Sequence, residues 1–286
     1  MTVAAGIVRA ARRPAGWRAP GPPPAAAPDP RLGPHAGEDL CFLAGDWRIL
    51  QQVAGHRWSL DDLVTAWVAA QVAAARAPGT FVDLGCGIGT VLMLLAWRFP
   101  GATGVGIEAQ AASVDLARRS LAWNAADDRC EVRHGDFRDV VAGCARASVD
   151  LVTGTTPYLT PGHATPSKRA QCGPCHFEER GGLEDYCSAA AHILAPRGSF
   201  VMCAGAFQAA RVARAAAVAG LVARAAISVV PKAGKAALFD VHVLALDVGS
   251  AADGAGAELP ATLVVRDSHD QWTSDFRAVR AAMGMP

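Results

Sequence analysis

Residues 82–90 read VDLGCGIGT, and this stretch decides the fold class. Its three glycines are Gly85, Gly87 and Gly89. The apolar run TFVDLG at 80–85 predicts a buried strand that ends at the glycines, and VLMLLAWRF at 91–99 predicts a helix that follows them. Because glycine has no side chain, a glycine-rich loop between a strand and a helix lets the backbone approach a ligand closely. The stretch therefore predicts a nucleotide-type cofactor site.

The same alternation of strand and helix continues on both sides of this stretch. Further strands are predicted at 103–108, 130–136, 149–155, 198–205, 222–230 and 236–247. Further helices are predicted at 60–76, 111–126, 183–194 and 206–219. Strands and helices that alternate at this rhythm form a parallel sheet with helices on both faces. We therefore predict an α/β fold with seven strands in a mostly parallel sheet.

The amino-terminal residues have a different composition from the rest. Residues 1–37 contain the Pro/Ala-rich run PGPPPAAAPDP at 20–30 and five arginines against one aspartate, and they are predicted to be a disordered tail. Residues 38–286 are predicted to form the domain. The Arg-rich start also resembles an organellar transit peptide, although it lacks serine. A cytoplasmic protein with a tail is the preferred reading, and organellar targeting is the alternative.

Composition excludes several classes of function. Apolar residues make up 51% of the chain, but charged residues and glycines interrupt them before the roughly 18 residues that a membrane span needs. The formal net charge is +1 for the whole chain and −3 for the predicted domain alone. A slightly acidic domain argues against tight non-specific binding of nucleic acid. CGPCH at 172–176 has the spacing of redox and haem motifs, but it lies in a polar loop. No metal site is predicted.

Acidic residues close the two strands that follow the glycine loop. Glu108 ends the second strand, 25 residues after Asp83, which is close to the offset of one strand–helix–strand unit. A carboxylate there can accept hydrogen bonds from both hydroxyls of a ribose. Asp136, in HGDF at 134–137, follows the third strand. An ordinary sheet whose acids happen to cap its strands is the alternative explanation.

The pattern D-x-G-x-G-x-G resembles motif I of class I methyltransferases, which have a Rossmann-like fold and use S-adenosylmethionine. The resemblance implies that Gly85, Gly87, Gly89 and Glu108 bind that cofactor. It also implies that Asp136 meets the adenine amino group, that Phe137 flanks the adenine ring and that Asp83 supports the methionine end. It further implies that the last strands of the sheet form an antiparallel hairpin.

The fourth predicted strand ends in GTTPYLTPG at 154–162. Here the chain resembles amino methyltransferases, which carry Asn-Pro-Pro-Tyr or Asp-Pro-Pro-Tyr at this place. The resemblance implies that Thr155, Thr156, Pro157 and Tyr158 face the methyl acceptor. This chain has threonine at the Asn position and at the first Pro position. A hydroxyl accepts a hydrogen bond but lacks the reach of an amide. A turn in which Tyr158 packs on the sheet is the alternative.

A narrower resemblance covers residues 40–283 and points to the tRNA adenine-N(6) methyltransferases that modify the adenosine beside the anticodon of valine tRNA. The segments that carry it are GHRWSLDDLVTAWVA at 55–69, CHFEERGGLEDYC at 175–187 and TLVVRDSHDQWTSDFRAVRAAM at 262–283. Asp61 in the first segment is the best match to the acid that helps to close the cofactor pocket in that family. The resemblance implies tRNA or another RNA as partner, with the target adenosine flipped out of its stack.

Two other functions remain open at this point. Relatives with the same loop methylate a protein amide or a small molecule. The threonines at 155 and 156 also fit a non-catalytic protein that binds the cofactor or RNA. The sequence makes no prediction of the oligomeric state.

Overall fold

The structure is a computed structural model that describes residues 6–24, 29–55, 57–157, 178–247 and 259–286. Its strands are β1 (Ile7–Val8), β2 (Glu38–Phe42), β3 (Arg48–Gln52), β4 (Thr80–Leu84), β5 (Thr103–Glu108), β6 (Cys130–His134), β7 (Val149–Thr155), β8 (Leu194–Gly205), β9 (Leu221–Val230), β10 (Phe239–Leu246) and β11 (Thr262–Val264). Its helices are α1 (Leu60–Val72), α2 (Thr90–Arg98), α3 (Ala111–Trp123), α4 (Phe137–Ala142), α5 (Leu183–Ile193), α6 (Ala209–Val218) and α7 (Ser274–Ala282). None of these helices is long and apolar enough to cross a bilayer.

The main sheet confirms the predicted α/β class and corrects the strand count. Its order is β11-β9-β10-β8-β7-β4-β5-β6, which is eight strands in the described residues rather than the predicted seven. The added strand is β11, which pairs parallel with β9, with Leu263 opposite Val229. Residues 262–264 entered the sequence analysis only as part of the segment at 262–283 that resembles the tRNA methyltransferases, and no local signal indicated a partner for them.

The predicted hairpin at the end of the sheet is present. β10 runs antiparallel to both of its neighbours, with Val241 opposite Cys203 of β8 and Ile227 of β9. All other pairs in this sheet are parallel. Because β10 is reversed, β9 runs in the same direction as β7 and β8. The carboxyl ends of β4 to β9 and of β11 therefore meet at one edge of the sheet. The reversed strand β10 begins at that edge.

Two apolar cores lie on the two faces of the sheet. Along β8, Val201 and Cys203 enter one core and Phe200 and Met202 enter the other, because side chains alternate across a strand. Helices α1, α2, α3 and α7 contribute to the first core, and helices α4, α5 and α6 to the second. This doubly covered sheet explains why its strands read as continuous apolar runs.

The amino-terminal residues differ from the predicted disordered tail. Ile7 and Val8 form β1, which pairs parallel with β2 in a separate three-stranded sheet. Arg9 donates to Asp39 over 2.8 Å, and Arg13 pairs with Asp46 over 2.7 Å. The prediction was wrong for 6–24 because these arginines find acidic partners beyond the segment, which composition does not reveal. The domain boundary at residue 38 stays a prediction.

Strands β2 and β3 were absent from the sequence prediction. They form a hairpin with Leu40 opposite Leu50, and β3 packs against α3. The Leu50 amide donates to the Ser120 hydroxyl over 2.9 Å, and the Arg48 amide donates to the Asn124 side chain over 2.8 Å. Side chains at α3 and its carboxyl end thus accept hydrogen bonds from backbone amides of β3. These partners lie 70 and 76 residues away along the chain.

Candidate active site

A single cleft at the carboxyl edge of β4, β5, β6 and β7 gathers most of the predicted site residues. Its walls include Asp61, Gly85, Gly87, Glu108, Asp136, Phe137, Thr155, Thr156 and Pro157. Asp83 and Gly89 lie behind the wall rather than in it. Tyr158 lies outside the described residues, as do Lys168, Arg169 and CGPCH at 172–176. The edge where parallel strands end is the usual place for a ligand in such sheets.

The three glycines have different roles in the loop. All three adopt positive φ angles, 64° at Gly85, 54° at Gly87 and 84° at Gly89, which disfavour any other residue. A Cβ atom added to Gly85 would collide with the Tyr186 hydroxyl, and one added to Gly89 would lie 3.1 Å from the Cβ of Ala117. A Cβ atom on Gly87 would meet no atom within 4 Å. Gly87 therefore leaves the cleft open above the loop, whereas Gly89 serves the packing of α2 on α3.

Glu108 ties the glycine loop to the start of α3. Its side chain accepts hydrogen bonds from the Gly87 amide at 3.0 Å and the Gln110 amide at 2.6 Å. Only 6% of the residue is exposed, and burial raises the pKa of its carboxyl group. Each carboxylate oxygen still has a lone pair beyond the one used by a backbone amide. The side chain can accept further hydrogen bonds from a ligand in the cleft.

Asp136 and Phe137 form the far wall of the cleft. Asp136 is the N-cap of α4 and pairs with Arg138 over 2.6 Å, which lowers the pKa of its carboxyl group. The Phe137 ring packs on Tyr186 with ring centroids 4.5 Å apart. Asp136 and Phe137 were both candidate residues in the sequence, whereas their partners Arg138 and Tyr186 were not.

Two adjacent acids, Asp61 and Asp62, line the cleft from the first turn of α1. The Ser59 hydroxyl donates to Asp61, and the Ser59 amide donates to Asp62 over 3.0 Å. Burial and the carboxylates of Asp61 and Asp83 raise the pKa of Asp62. Only Asp61 was a candidate from the sequence, and Asp62 also lines the cleft.

Asp83 lies beneath the glycine loop and is 1% exposed. Its carboxylate accepts a hydrogen bond from the Thr153 hydroxyl of β7 over 2.8 Å. Burial raises the pKa of Asp83 to about 7 even though the Thr153 hydrogen bond opposes this shift. Any influence of Asp83 on a ligand therefore passes through the loop above it.

Thr155, Thr156 and Pro157 form the end of the cleft where β7 stops. Thr155 lies opposite Cys203 in the sheet. The amide and the hydroxyl of Thr156 both donate to the Cys203 carbonyl, over 3.1 and 2.8 Å. The Thr156 hydroxyl is thus bonded to β8, although the residue itself lines the cleft. Thr155 is partly exposed and lines the cleft. That these residues face a methyl acceptor stays a prediction.

Arg180 enters the cleft from the turn that precedes α5. The turn is held by Arg211 of α6, which pairs with Glu178 over 2.6 Å and with Glu184 over 2.6 Å. Among the described residues that line the cleft, Arg180 is the single cation, and it faces four carboxylates. These are Asp61, Asp62, Glu108 and Asp136. The excess of acid favours a ligand with positive charge.

The chain is similar in sequence to known methyltransferases. A family model described as "Methyltransferase domain" matches residues 81–169. The chain is 28% identical over 142 residues to the tRNA1(Val) (adenine(37)-N6)-methyltransferase of Porphyromonas gingivalis, covering 49% of this chain and 54% of that protein. It is 32% identical over 150 residues to the release factor glutamine methyltransferase of Rhodospirillum rubrum, covering 50% of this chain and 45% of that protein. The chain spans about half the length of these curated relatives.

One solved structure supports the fold. The crystal structure of a predicted O-methyltransferase from Agrobacterium tumefaciens superposes with a TM-score of 0.53 at 19% identity, covering 78% of this chain and 97% of that one. At this identity the likeness shows the fold alone. It is the Rossmann-like fold that the sequence predicted.

Proposed function

We propose that this chain, which carries a class I S-adenosylmethionine-dependent methyltransferase domain, methylates the exocyclic amine of an adenine in tRNA. The observation that carries the proposal is that one cleft brings the glycine loop, Glu108 and Asp136 to the same edge as Thr155 and Pro157. A cofactor held by the glycine loop, Glu108 and Asp136 would present its methyl group toward Thr155 and Pro157.

The cleft suits S-adenosylmethionine in charge and in shape. This cofactor carries a sulfonium and an ammonium group against one carboxylate, so its net charge is positive, and the four carboxylates of the cleft favour it. The open space above Gly87 admits a ligand against the loop backbone. In this assignment Glu108 accepts from the ribose hydroxyls, Asp136 accepts from the adenine amino group, and Asp61 and Asp62 favour the ammonium group.

The acceptor end needs groups that orient an amine. When bound, the cofactor supplies a methyl carbon activated by its sulfonium. Transfer of that methyl group to an acceptor nitrogen would leave the electron pair of the broken bond on sulfur and would release one proton from the nitrogen to water. Hydrogen bonds from the amine to the Thr155 hydroxyl and to the Thr156 backbone carbonyl would orient the nitrogen lone pair for in-line attack. Orientation of this kind accounts for much of the rate in such transfers.

The choice of tRNA rests on the relatives from Porphyromonas gingivalis, whose printed name specifies the adenine N6 atom. A second candidate is the side-chain amide of a protein glutamine. The release factor glutamine methyltransferases of Caulobacter vibrioides and Rhodospirillum rubrum favour it, at 34% identity over 80 residues and 32% over 150 residues. Both acceptors are planar amino nitrogens, so the same orienting groups serve either one.

The test is transfer of radiolabelled methyl groups from S-adenosylmethionine to unmodified total tRNA, followed by digestion to nucleosides. We expect label in N(6)-methyladenosine, with loss of label and of cofactor binding in Glu108→Ala. Thr155→Val keeps the shape of the side chain but removes its hydroxyl. It is expected to lower the methylation rate while cofactor affinity stays unchanged.

Two other outcomes would replace the proposal. Label in a glutamine-containing peptide but not in tRNA would move the acceptor to a protein amide. Calorimetric binding of S-adenosylmethionine without transfer to tRNA, peptide or small-molecule amines would identify a non-catalytic protein that binds the cofactor.

A further inference from the structure

Two exposed apolar side chains lie together beyond the acceptor end of the cleft. Phe207 follows directly after β8 and is 76% exposed, and Leu238 precedes β10 and is 55% exposed. The Ala206 amide donates to the Leu238 carbonyl, so the two segments are hydrogen-bonded neighbours. A Cβ atom added to Gly205 would lie 2.7 Å from the Phe207 ring, which shows that the ring lies along the end of the strand.

The sheet order places this pair beside the methyl-acceptor end of the cleft. From β7, which ends at Thr155, the edge continues through β8 and β10 to β9. Cys203 of β8 pairs with Thr155, and Phe207 lies four residues further along the chain. Neighbouring strands are about 4.8 Å apart, so the edge from β7 to β9 measures about 14 Å. That length accommodates a few nucleotides on one side of an acceptor base.

Positive charge accompanies the apolar pair. The turn between β9 and β10 contains Lys232 and Lys235, two of the three lysines in the chain. Lys235 is exposed, and Lys232 is half-exposed beside Asp270 at 3.5 Å. The cofactor cleft, in contrast, is dominated by carboxylates. The cleft therefore carries mostly acid, whereas the turn beyond it carries two lysines, one of them beside Asp270.

We propose that Phe207, Leu238, Lys232 and Lys235, here termed the Phe207 face, bind single-stranded RNA next to the target base. The Phe207 ring stacks on a neighbouring base, Leu238 extends the apolar surface, and the lysines neutralise phosphates. Proteins that bind unpaired RNA combine these two elements, an aromatic platform and cationic side chains. The acidic cofactor side repels phosphate, so the backbone is directed toward the lysines. The inference rests on the proposed RNA acceptor.

The first measurement is the affinity of the full chain for unmodified tRNA by fluorescence anisotropy, with Phe207→Ala, Phe207→Leu and Phe207→Trp. Loss of one stacked base weakens binding by about 5- to 100-fold. We expect that loss in Phe207→Ala and Phe207→Leu and near-normal affinity in Phe207→Trp. Val218→Ala is the matched control, because Val218 is 90% exposed at the end of α6, where β9 begins rather than ends.

The second measurement is the salt dependence of tRNA binding in Lys232→Ala/Lys235→Ala. Two lost contacts to single-stranded phosphates reduce the slope of log affinity against log salt by about 1.4. Arg98→Ala/Arg197→Ala removes two exposed charges at the opposite edge of the sheet and is expected to keep the slope. S-adenosylmethionine affinity is measured in every variant and should not change, because none of these side chains lines the cleft.

The outcomes separate this inference from the proposed function. If tRNA is methylated and Phe207→Ala binds it like the unaltered chain, the Phe207 face is wrong and the function stands. If Phe207→Ala weakens tRNA binding but the unaltered chain transfers no methyl group to tRNA, the Phe207 face stands and the proposed function is wrong. Absence of tRNA binding by the unaltered chain overturns the face, as does a loss of cofactor affinity in Phe207→Ala, which would identify a packing role.

Discussion

At the scale of single residues, the carboxyl group of Asp83 shows how burial changes chemistry. Its pKa of about 7 in the folded chain exceeds the ordinary value of 3.8. The folded chain therefore holds a proton that the unfolded chain releases between about pH 4 and pH 7. Within that window the contribution of Asp83 to the free energy of unfolding falls as pH rises.

Asp83→Asn removes this titration but keeps a group that can bond to Thr153. We expect the stability of the variant relative to the unaltered chain to rise between pH 5 and pH 8, by no more than about 3 kcal/mol. Urea denaturation at the two pH values measures the difference. An identical pH dependence in both proteins would show that Asp83 is already ionised at pH 5.

Arg138 tunes the acid that we assign to the adenine end of the cofactor. Its hydrogen bonds to Asp136 hold the pKa of that carboxyl group below the usual range. A lowered pKa keeps the carboxylate ionised, and able to accept, down to a lower pH. In Arg138→Ala, cofactor affinity should begin to fall at a higher pH than in the unaltered chain.

Calorimetric titration with S-adenosylmethionine from pH 4.5 to pH 7 measures that shift. Arg133→Ala is the matched control, since Arg133 pairs with Glu131 over 2.6 Å on the neighbouring strand β6 and does not line the cleft. An equal shift in both variants would assign the effect to general charge rather than to Asp136.

At the scale of elements, Asp39 of β2 is the anchor of the amino-terminal strand. Its side chain is fully buried and pairs with Arg9 over 2.8 Å and with Arg57 over 3.0 Å. Burial acts to raise the pKa of Asp39, but the hydrogen bonds and charges of Arg57 and Arg9 together outweigh it and hold the pKa below its usual value. The stability from these pairs is present above the ordinary pKa and is lost as pH falls through the lowered one.

Asp39→Asn should lower the free energy of unfolding by at least about 2 kcal/mol, because it leaves two arginines beside an uncharged buried group. Asp46→Asn should cost less than about 1 kcal/mol, because the Asp46 side chain is 44% exposed and its pair with Arg13 is screened by water. Urea denaturation at pH 7 compares the two. Equal costs would contradict the anchoring role of Asp39.

At the scale of the whole molecule, the cofactor cleft and the amino-terminal segment are separate parts. None of the described residues before Ser59 lines the cleft. Removal of residues 1–24 deletes β1 and the Arg9 pair, and it exposes the Trp97 ring against which Gly21 packs. We expect a lower melting temperature and an unchanged affinity for S-adenosylmethionine.

Thermal unfolding and calorimetry on the truncated chain measure these two quantities. Loss of cofactor affinity in a truncated chain that keeps its native circular dichroism would show that the segment shapes the cleft. An unchanged melting temperature would show that its ion pairs contribute nothing measurable.

Local pattern was sufficient for much of this molecule. The strand–loop–helix unit around the glycines, the acids at the ends of β5 and β6, and the alternation of later elements were all predicted from short stretches. Such features depend on residues that are close in sequence, where apolar periodicity and the backbone freedom of glycine act directly. The same residues then meet at one edge because parallel strands end together.

Contacts between distant residues were decided by the tertiary structure alone. Examples are the Thr156 hydroxyl on the Cys203 carbonyl, the Arg211 pair that holds the turn of Arg180, and Arg9 on Asp39. Each joins residues 30 or more positions apart, and many alternative partners have the same residue types. The sequence by itself thus determined the fold class and the cofactor loop. Only packing decided that the Thr156 hydroxyl bonds to β8 and how the amino-terminal segment is attached, because those choices depend on which surfaces meet when the sheet forms.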